Sequence, residues 1–324
     1  MIHKRQLGKT DLNVSEIGLG CFQLGGNTTI NEIPISFSNM SEKTASQIIH
    51  ASLELGINTF DTADWYSLGN SEIRLGSVLK KNRENAIIFT KAGIVPSYTG
   101  ETIDLSYNYL ISALDRSLKR LQTDYIDLYQ LHRPDKFTPI EETIKTLDQF
   151  IRSGKIRYIG CSNYSAWQVS QLVEIQRYLG INNFVSVQPE YNILRRSIEK
   201  ELIPCCKEYG LGILAYHPLD SGFLTGIYSD SGELPIGSRF HNVPQLIDQH
   251  FTNKRFQILE NLQNFVRENK RSLIELAIAW LLSRPMVGSV IVGSSRKGQI
   301  RACVEGVNWV LDNTQLSKIE KLLV

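Results

Sequence analysis

The sequence predicts a closed (β/α)8 barrel, an α/β fold in which each strand is followed by a helix. Its 324 residues fit one large barrel as readily as two ordinary domains. Short apolar segments alternate with helical patterns along the chain, and the segments are apolar on both faces, as expected when helices cover a sheet throughout. Eight strands can be counted, which favours a closed barrel over an open sheet. We therefore expect residues 1–324 to form a single TIM barrel domain.

The composition is that of an ordinary soluble globular protein, with 42% hydrophobic and 21% charged residues. The net charge of +2 gives no basis for a nucleic-acid surface. The first residues lead into a turn rather than a signal peptide, and no apolar run approaches the roughly 20 residues that span a bilayer. The five cysteines are scattered and odd in number, which suits reduced thiols. We therefore expect a cytoplasmic protein with neither membrane nor nucleic-acid partners.

The N-terminal elements are predicted from turn residues and apolar periodicity. A hairpin is expected between residues 5 and 20, around the turn Gly8–Asp11. Within it, Glu16–Gly20 is the first predicted barrel strand. Residues 25–41 are polar and irregular and are predicted to form a loop. A helix is expected over residues 41–55, whose apolar side chains lie near one face.

The remaining elements continue the alternation to the C-terminus. The other strand candidates are short and apolar: Asn58–Phe60, Ala86–Thr90, Tyr125–Leu131, Tyr158–Cys161, Phe184–Val187, Gly212–Tyr216 and Ser289–Val292. Helical patterns lie near residues 70–80, 105–121, 140–152, 165–178, 197–209, 253–269 and 272–283. A long insertion runs from Leu219 to about His250. Loops of that length in a compact domain are usually functional.

Capping residues mark several helix boundaries. Three segments fit the capping box, a Ser or Thr followed three residues later by Glu or Gln: Thr138–Glu141, Ser165–Gln168 and Ser272–Glu275. Glycines at positions 154, 180 and 210 mark helix ends. These signals support the predicted alternation of helices and strands.

The residues that follow the strands are polar or aromatic, and in a barrel the active site lies at this rim. Asp61 and Tyr66 follow the second strand, Lys91 the third and His132 the fourth. A free tyrosine titrates near ~10, and a neighbouring ammonium lowers that pKa toward the working range. A buried lysine needs a carboxylate partner, and Asp61 could supply it. His132 could orient a carbonyl oxygen, so the set suits proton delivery to that oxygen while a hydride reaches its carbon.

Several motifs resemble those of the aldo-keto reductase family. They are Phe60–Tyr66, Thr90–Lys91, Leu118–Leu121, Thr123–Leu128, Leu131–Asp135, Gly154–Arg157, Gly160–Asn163, Ser186–Pro189 and Tyr191–Asn192. The resemblance covers essentially the whole chain. It implies a barrel that binds a nicotinamide cofactor across the rim, with Tyr66 as general acid–base. It also implies that Lys91 and Asp61 tune Tyr66, and that His132 orients the carbonyl.

The same resemblance implies a set of cofactor-binding residues. Ser162, Asn163 and Gln188 would hold the nicotinamide carboxamide, and Tyr216 would stack on the ring. Leu219–Leu224 would wrap the pyrophosphate, with Leu219 and Leu224 at its ends and Gly222 permitting close backbone approach. The adenosine end would meet Gly293, Ser294, Ser295, Arg296 and Gln299. Arg296 beside two serines at a helix start suits a ribose 2′-phosphate, which favours NADP, with NAD as the alternative.

Some positions depart from the family pattern. His217 stands where a small residue is usual, and it could either donate to the pyrophosphate or narrow the channel. Ala302 and Cys303 replace a Glu-Asn pair that often touches adenine, and Gln299 replaces a common Arg. These departures concern the adenine contacts and the choice of cofactor.

Phe22 and Trp65 are candidates for the substrate pocket, although either could belong to the core. Asp64 is interpreted as shaping its loop. The carbonyl substrate itself depends on residues 25–41, 94–104 and 226–250 as well, and it is not specified by the sequence.

Three other functional classes have weaker support in the sequence. Gly18-x-Gly20 lacks the third glycine and the following helix of a dinucleotide fingerprint. No His or Cys cluster has metal-ligand spacing, so we expect no metal. Some relatives in the resembled family act as cofactor-binding regulatory subunits of other proteins, and this is the alternative function. The full set of four rim residues and the absence of an N-terminal extension favour the enzyme.

Overall fold

The computed structural model describes residues 2–30, 33–34, 38–97, 100–182, 184–229 and 233–323. The loops predicted to shape the substrate pocket fall partly outside this range, at residues 31–32, 35–37, 98–99 and 230–232.

Eight parallel strands in the described part of the chain close into a barrel, as predicted. They are β1 (Ile17–Gly20), β2 (Thr59–Asp61), β3 (Ile87–Ala92), β4 (Ile126–Leu131), β5 (Ile156–Ser162), β6 (Phe184–Gln188), β7 (Gly212–Tyr216) and β8 (Val287–Gly293). Each strand pairs with its neighbours in chain order, and β8 pairs with β1 to close the ring. Every strand therefore ends at the same rim.

One helix of the outer ring follows each strand. These are α1 (Glu42–Glu54), α2 (Asn70–Leu79), α3 (Tyr107–Leu121), α4 (Ile140–Arg152), α5 (Ala166–Leu179), α6 (Leu202–Tyr209), α7 (Leu273–Leu282) and α8 (Lys297–Glu305). The last of these was not predicted as a helix with stated bounds. The large apolar core lies between the strands and these helices.

The predicted N-terminal hairpin is present, with Lys4–Gln6 antiparallel to Asn13–Ser15. Its buried residues Leu7, Leu12 and Val14 pack with Phe89 and Leu128 and other inward-facing strand residues to form a second, smaller core. A hairpin that fills one mouth of the barrel leaves the opposite rim, where the strands end, for ligands.

Other elements were missed at the sequence level. The segment predicted to be an irregular loop at 25–41 contains the antiparallel pair Thr29–Ile30 and Ile33–Pro34, and Ile94–Ser97 pairs with Gly100–Ile103. The β7–α7 connection contains two short helices that were not predicted, at Arg239–Asn242 and Ile247–His250, and a further helix covers Asn313–Leu322. The helix predicted near residues 253–269 is confirmed at Asn253–Glu268. Strands of two to four residues are too short for a clear alternating pattern, which explains why the pairs were missed.

Two of the three predicted capping boxes are present, at Ser165 and Ser272. The third is wrong, because α4 is preceded by Pro139 and has no side-chain cap. The Thr138 hydroxyl donates instead to Asp135, 2.6 Å away. Because Pro139 is the N-cap residue, the Thr138 oxygen does not accept a hydrogen bond from the first N–H groups of the helix, as a capping box would require.

Candidate active site

The structure brings Asp61, Tyr66 and Lys91 together at the ends of β2 and β3. The Lys91 ammonium donates to Asp61 Oδ2 at 2.7 Å and to the Thr62 carbonyl at 2.9 Å. The Tyr66 hydroxyl lies 3.4 Å from Lys91 Nζ, and the ammonium lies 5.0 Å from the Tyr66 ring centroid. Both members of the ion pair are buried, with side-chain exposures of 1% for Lys91 and 3% for Asp61. The predicted contact set therefore exists as a continuous chain from carboxylate to phenol.

The turn that presents Tyr66 has an uncommon backbone. Ser67 and Leu68 both have positive φ, at 51° and 53°, which non-glycine residues rarely adopt. The Ser67 hydroxyl donates to the Gly26 carbonyl at 2.9 Å, and the Asn70 amide donates to the Gly25 carbonyl. These bonds tie the Tyr66 turn to the segment after β1 and compensate for the strained conformation.

Burial changes the acid–base properties of this cluster. Desolvation raises the pKa of Tyr66, and Lys91 opposes this without overcoming it. The prediction that the lysine would bring this pKa down to the working range is therefore wrong in its net direction, because the sequence does not reveal the depth of burial. Burial would lower the pKa of Lys91, but Asp61 and Tyr66 hold it above its usual value. The resting state is a neutral phenol beside an ammonium. In this state the phenol can donate a proton.

His132 lies beside Tyr66, with ring centroids 5.7 Å apart and edge-on geometry. Burial, and after it the charge of Lys91, lowers the pKa of His132 well below its usual value, so the imidazole is neutral near pH 7. Its Nδ1 is buried and has no hydrogen-bond partner among the described residues. Nε2 is therefore the ring nitrogen available to a ligand.

The second oxygen of Asp61 is held by two glutamine amides that sequence reasoning did not assign to it. Oδ1 accepts from Gln188 Nε2 at 2.8 Å and from Gln130 Nε2 at 3.3 Å. Gln130 lies in β4, two residues before His132, and is completely buried. A polar side chain near the end of a completely buried strand was the signal that could have found it.

The residues expected at the nicotinamide end adjoin this cluster. The Asn163 amide donates to the His132 carbonyl at 3.0 Å and to Ser162 Oγ at 3.1 Å, and its oxygen accepts from the Tyr216 hydroxyl at 2.8 Å. The Ser162 hydroxyl donates to the Gln188 carbonyl at 2.9 Å. Asn163 therefore links the catalytic histidine candidate to the ring expected to stack on nicotinamide.

His217 and the following segment form a different kind of structure. His217 has φ 54°, is half-exposed, and its Nδ1 lies 3.2 Å from Glu190 Oε1. Its hydrogen bond is the main reason why the pKa of Glu190 is lowered. Positive φ angles continue at Asp220, Ser221 and Gly222, and the last of these is the position where glycine removes the strain.

An ionic network that was not predicted fastens this segment, and it centres on Asp220. This fully buried carboxylate accepts from Arg195 Nε at 2.8 Å and from the Arg255 guanidinium, and His250 Nε2 lies 3.6 Å away. Arg195 also lies 3.4 Å from Glu190. Because His250 ends the long insertion and Arg255 lies in the helix that follows it, Asn253–Glu268, the network ties the far end of the β7–α7 connection to Leu219–Leu224 at its start.

The side chains of Leu219–Leu224 are not equally available to a ligand. Leu219 is partly exposed and Gly222 has no Cβ, whereas the Leu224 side chain is buried in the apolar core. A contact from Leu224 would have to come from its backbone.

The residues expected at the adenosine end surround the start of α8. Gly293, Ser295, Arg296 and Gln299 are exposed, whereas Ser294 is buried and its hydroxyl donates to the Arg296 carbonyl at 2.7 Å. The Gln299 side-chain oxygen accepts from the Ser295 backbone N–H at 2.8 Å and from its hydroxyl at 3.0 Å. An exposed guanidinium at a helix start is a site where an anion is stabilised.

The two pocket candidates differ in exposure. Phe22 is partly exposed and packs edge-on against Tyr66, with centroids 5.1 Å apart. Trp65 is 91% buried, since its exposed fraction is 9%. Asp64 accepts from the Tyr109 hydroxyl at 3.0 Å, and burial, with Glu72 nearby, raises the pKa of its carboxyl to about 7. Of the two pocket candidates, Phe22 is thus the one whose ring packs against Tyr66.

The site fits a nicotinamide cofactor by its donor chemistry. Amide groups of Asn163 and Gln188 and the Tyr216 ring lie together beside Tyr66 and His132. An exposed cation, Arg296, directly precedes α8. Over the described ranges, no group of three or more His, Cys, Asp or Glu could hold a metal ion, and no helix there combines the length and apolarity needed to cross a membrane.

Comparisons with known proteins agree with this chemistry. The sequence model of the "Aldo/keto reductase family" matches residues 16–324. A "Probable voltage-gated potassium channel subunit beta" of Oryza sativa subsp. japonica is 33% identical over 305 residues, which are 91% of this chain and 88% of that protein. An "NADH-specific methylglyoxal reductase" of Escherichia coli (strain K12) is 32% identical over 333 residues, 98% of each chain. Among solved structures, the "aldo-keto reductase AKR11C1 from Bacillus halodurans (holo form)" is 34% identical with a TM-score of 0.76, and the match covers 99% of this chain and 96% of that one.

Proposed function

Since the chain belongs to the aldo/keto reductase family and is an NAD(P)H-dependent oxidoreductase, we propose that it reduces an aldehyde or ketone to an alcohol with NADPH. The observation that carries the proposal is a buried series of hydrogen bonds. Lys91 Nζ lies 2.7 Å from Asp61 Oδ2 and 3.4 Å from the Tyr66 hydroxyl oxygen. A neutral phenol next to an ammonium is an acid whose conjugate base is stabilised in place.

In this proposal each rim residue has a separate role. Nε2 of the neutral His132 orients the carbonyl oxygen beside the Tyr66 hydroxyl. The reduced nicotinamide, when bound, supplies the hydride to the carbonyl carbon. Tyr66 gives its proton to the oxygen, so the C=O double bond becomes a C–O single bond with new C–H and O–H bonds. Lys91 stabilises the phenolate until solvent returns the proton, and general acid catalysis of this kind contributes about 10²–10⁴-fold to the rate.

Residues around this centre would hold the cofactor. Ser162, Asn163 and Gln188 would bind the carboxamide, and Tyr216 would hold one face of the ring against the site, which fixes orientation. His217, Leu219, Gly222 and the backbone of Leu224 would line the pyrophosphate, with Gly293, Ser295, Arg296 and Gln299 at the adenosine end. The exposed Arg296 supports NADP over NAD. The NADH-specific relative from E. coli supports the opposite choice.

We also propose that the chain acts as one barrel domain in the cytoplasm. The family match over residues 16–324 supports one domain, and five free thiols support a reducing compartment.

A second candidate function is a cofactor-binding regulatory subunit of a partner protein. The observation that favours it is the 33% identity to a probable potassium channel β subunit of rice. A stable partner recovered in a pull-down, together with slow turnover on every carbonyl, would support this candidate over the enzyme.

The test is NADPH oxidation across aldehydes, sugars, quinones and steroids, repeated with NADH. We expect at least one carbonyl to be reduced with preference for NADPH. Arg296→Ala is expected to raise the Kd of NADPH about tenfold, which is about 1.4 kcal/mol, and to leave the Kd of NADH unchanged. Equal loss of affinity for both cofactors would contradict the assignment of Arg296, and no turnover on the whole panel would contradict the proposed reaction.

A further inference from the structure

Asp61 is supported from inside the barrel as well as from the side of Lys91. Its Oδ2 faces the ammonium at 2.7 Å, whereas Oδ1 faces Gln188 at 2.8 Å and Gln130 at 3.3 Å. A carboxylate oxygen can only accept hydrogen bonds, so both glutamines must turn their NH2 groups toward it. The two bonds hold the carboxylate in one rotational position while its other oxygen faces Lys91.

The barrel interior makes room for the Gln130 side chain. Gly160 on the neighbouring strand β5 has no Cβ, and a Cβ there would lie 3.3 Å from Gln130 Cγ and 2.6 Å from Ser186 Oγ. Such distances are too short for ordinary packing. The glycine therefore leaves space that the long amide side chain uses to reach Asp61.

Gln130 differs from Gln188 in what else it can contact. It is completely buried, and its Oε1 has no partner among the described residues. Gln188 lies at the end of β6 beside Ser162 and Asn163, at the expected nicotinamide end. Replacing Gln130 should therefore change the support of Asp61 without changing the residues proposed to bind the cofactor.

We propose that Gln130 is a positioning residue for the reduction, acting through Asp61 to hold the Lys91–Tyr66 pair in its proton-donating arrangement. The inference rests on the proposed function of that pair. It assigns a role to a residue within strand β4 that is not at the rim.

The consequence is a defined change in the titration of Tyr66. The ionisable groups that face this phenol are Lys91, Asp61, Cys21 and, ring to ring, His132. The negative charge of Asp61 raises the pKa of both Tyr66 and Lys91. If Asp61 is freed to move away, the pair loses its proton more readily, and the transition shifts to lower pH.

The experiment titrates Tyr66 in the cofactor-free protein by tyrosinate absorbance, using Gln130→Met, a variant of similar length without an amide. Subtracting the same variant with Tyr66→Phe isolates this one phenol. We expect the midpoint of the transition to move to lower pH. The shift should be smaller than the roughly 1–3 pH units by which a neighbouring charge can change a pKa. Asp61→Asn sets the full size of the shift. The Kd of NADPH is expected to stay within about threefold, because the Gln130 side chain bonds to Asp61 and to none of the residues proposed to bind the cofactor.

Ser186→Ala is the matched control, because its hydroxyl is buried in the same interior region and has no partner among the described residues. It should titrate like the wild type. If Gln130→Met fails to fold, Gln130→Asn keeps the amide but is too short to reach Asp61, and the same shift is expected. A titration that coincides with the wild type, even with a lower melting temperature, would overturn the proposal. Because no substrate is needed, this result stands apart from any failure of the carbonyl panel.

Discussion

The end of the rim proposed to donate the proton and the segment proposed to cover the cofactor are both held by buried aspartates, Asp61 and Asp220, but the cations that pair with them differ in exposure. Asp61, Lys91 and Tyr66 come from strands β2 and β3 and the turn after β2, and their bonds lie inside the barrel wall. The covering segment, Leu219–Leu224, follows β7, and its Asp220 accepts hydrogen bonds from Arg195 and from Arg255 of the helix Asn253–Glu268.

This difference suggests that one end of the rim controls the chemical step and the other controls how the cofactor enters and leaves. Strand ends are fixed by the barrel's hydrogen bonds, so the reacting groups stay within short distances of one another. The covering segment depends on ion pairs whose arginines are partly exposed, with side-chain exposures of 30% for Arg195 and 17% for Arg255. Contacts at the end of a loop can open without disturbing the barrel. We therefore expect changes at the first end to affect the chemical step and changes at the second to affect cofactor exchange.

The largest effect is expected from Lys91→Met. Loss of the ammonium should reduce kcat by about 10²–10⁴-fold, the range of general acid catalysis. Lys91 lowers the pKa of Tyr66, so the alkaline limit of activity should move to higher pH, opposite to the shift expected for Gln130→Met. Measuring kcat against pH tests both statements. Lys155→Met, which removes an exposed lysine bonded to Asp115, is the control and should match the wild type.

A smaller effect is expected from Asp220→Asn, which removes the charge shared by Arg195 and Arg255. The dissociation rate of NADPH should rise about tenfold, equivalent to about 1.4 kcal/mol, as the covering segment loosens. Stopped-flow release measures this rate, and single-turnover hydride transfer should stay unchanged. The exposed Asp248, replaced by Asn, controls for charge within the same insertion. A slowed single turnover with normal release would contradict the separation of the two ends.

The residues of the end proposed to donate the proton were grouped from the sequence because each lies at or shortly after the predicted end of a strand. Asp61, Lys91 and His132 were placed by that rule, and the barrel brings them together. Gln130 was missed because the rule considers only residues after strands. The predicted direction of the Tyr66 pKa shift was also wrong, because a sequence gives the sign of a neighbouring charge but not the burial that opposes its effect.

The covering segment was predicted only as a range. Asp220 of this segment bonds to Arg195, which is 25 residues away in the sequence, and to Arg255, which is 35 residues away. Ion pairs at such separations depend on how the insertion folds back over β7, and no local spacing rule predicts that. The capping box predicted at Thr138 was wrong for a different reason, because the Thr138 hydroxyl donates to Asp135, three residues earlier, and does not cap the helix.

The central claim is that the Tyr66 hydroxyl donates the proton, and replacing it with Phe tests this most directly. NADPH titration by fluorescence and NADPH oxidation by the best carbonyl of the panel should be measured on the same preparation. We expect binding within about threefold of the wild type and turnover lower by at least about 10²-fold. Turnover close to that of the wild type, with NADPH bound equally well, would contradict the claim.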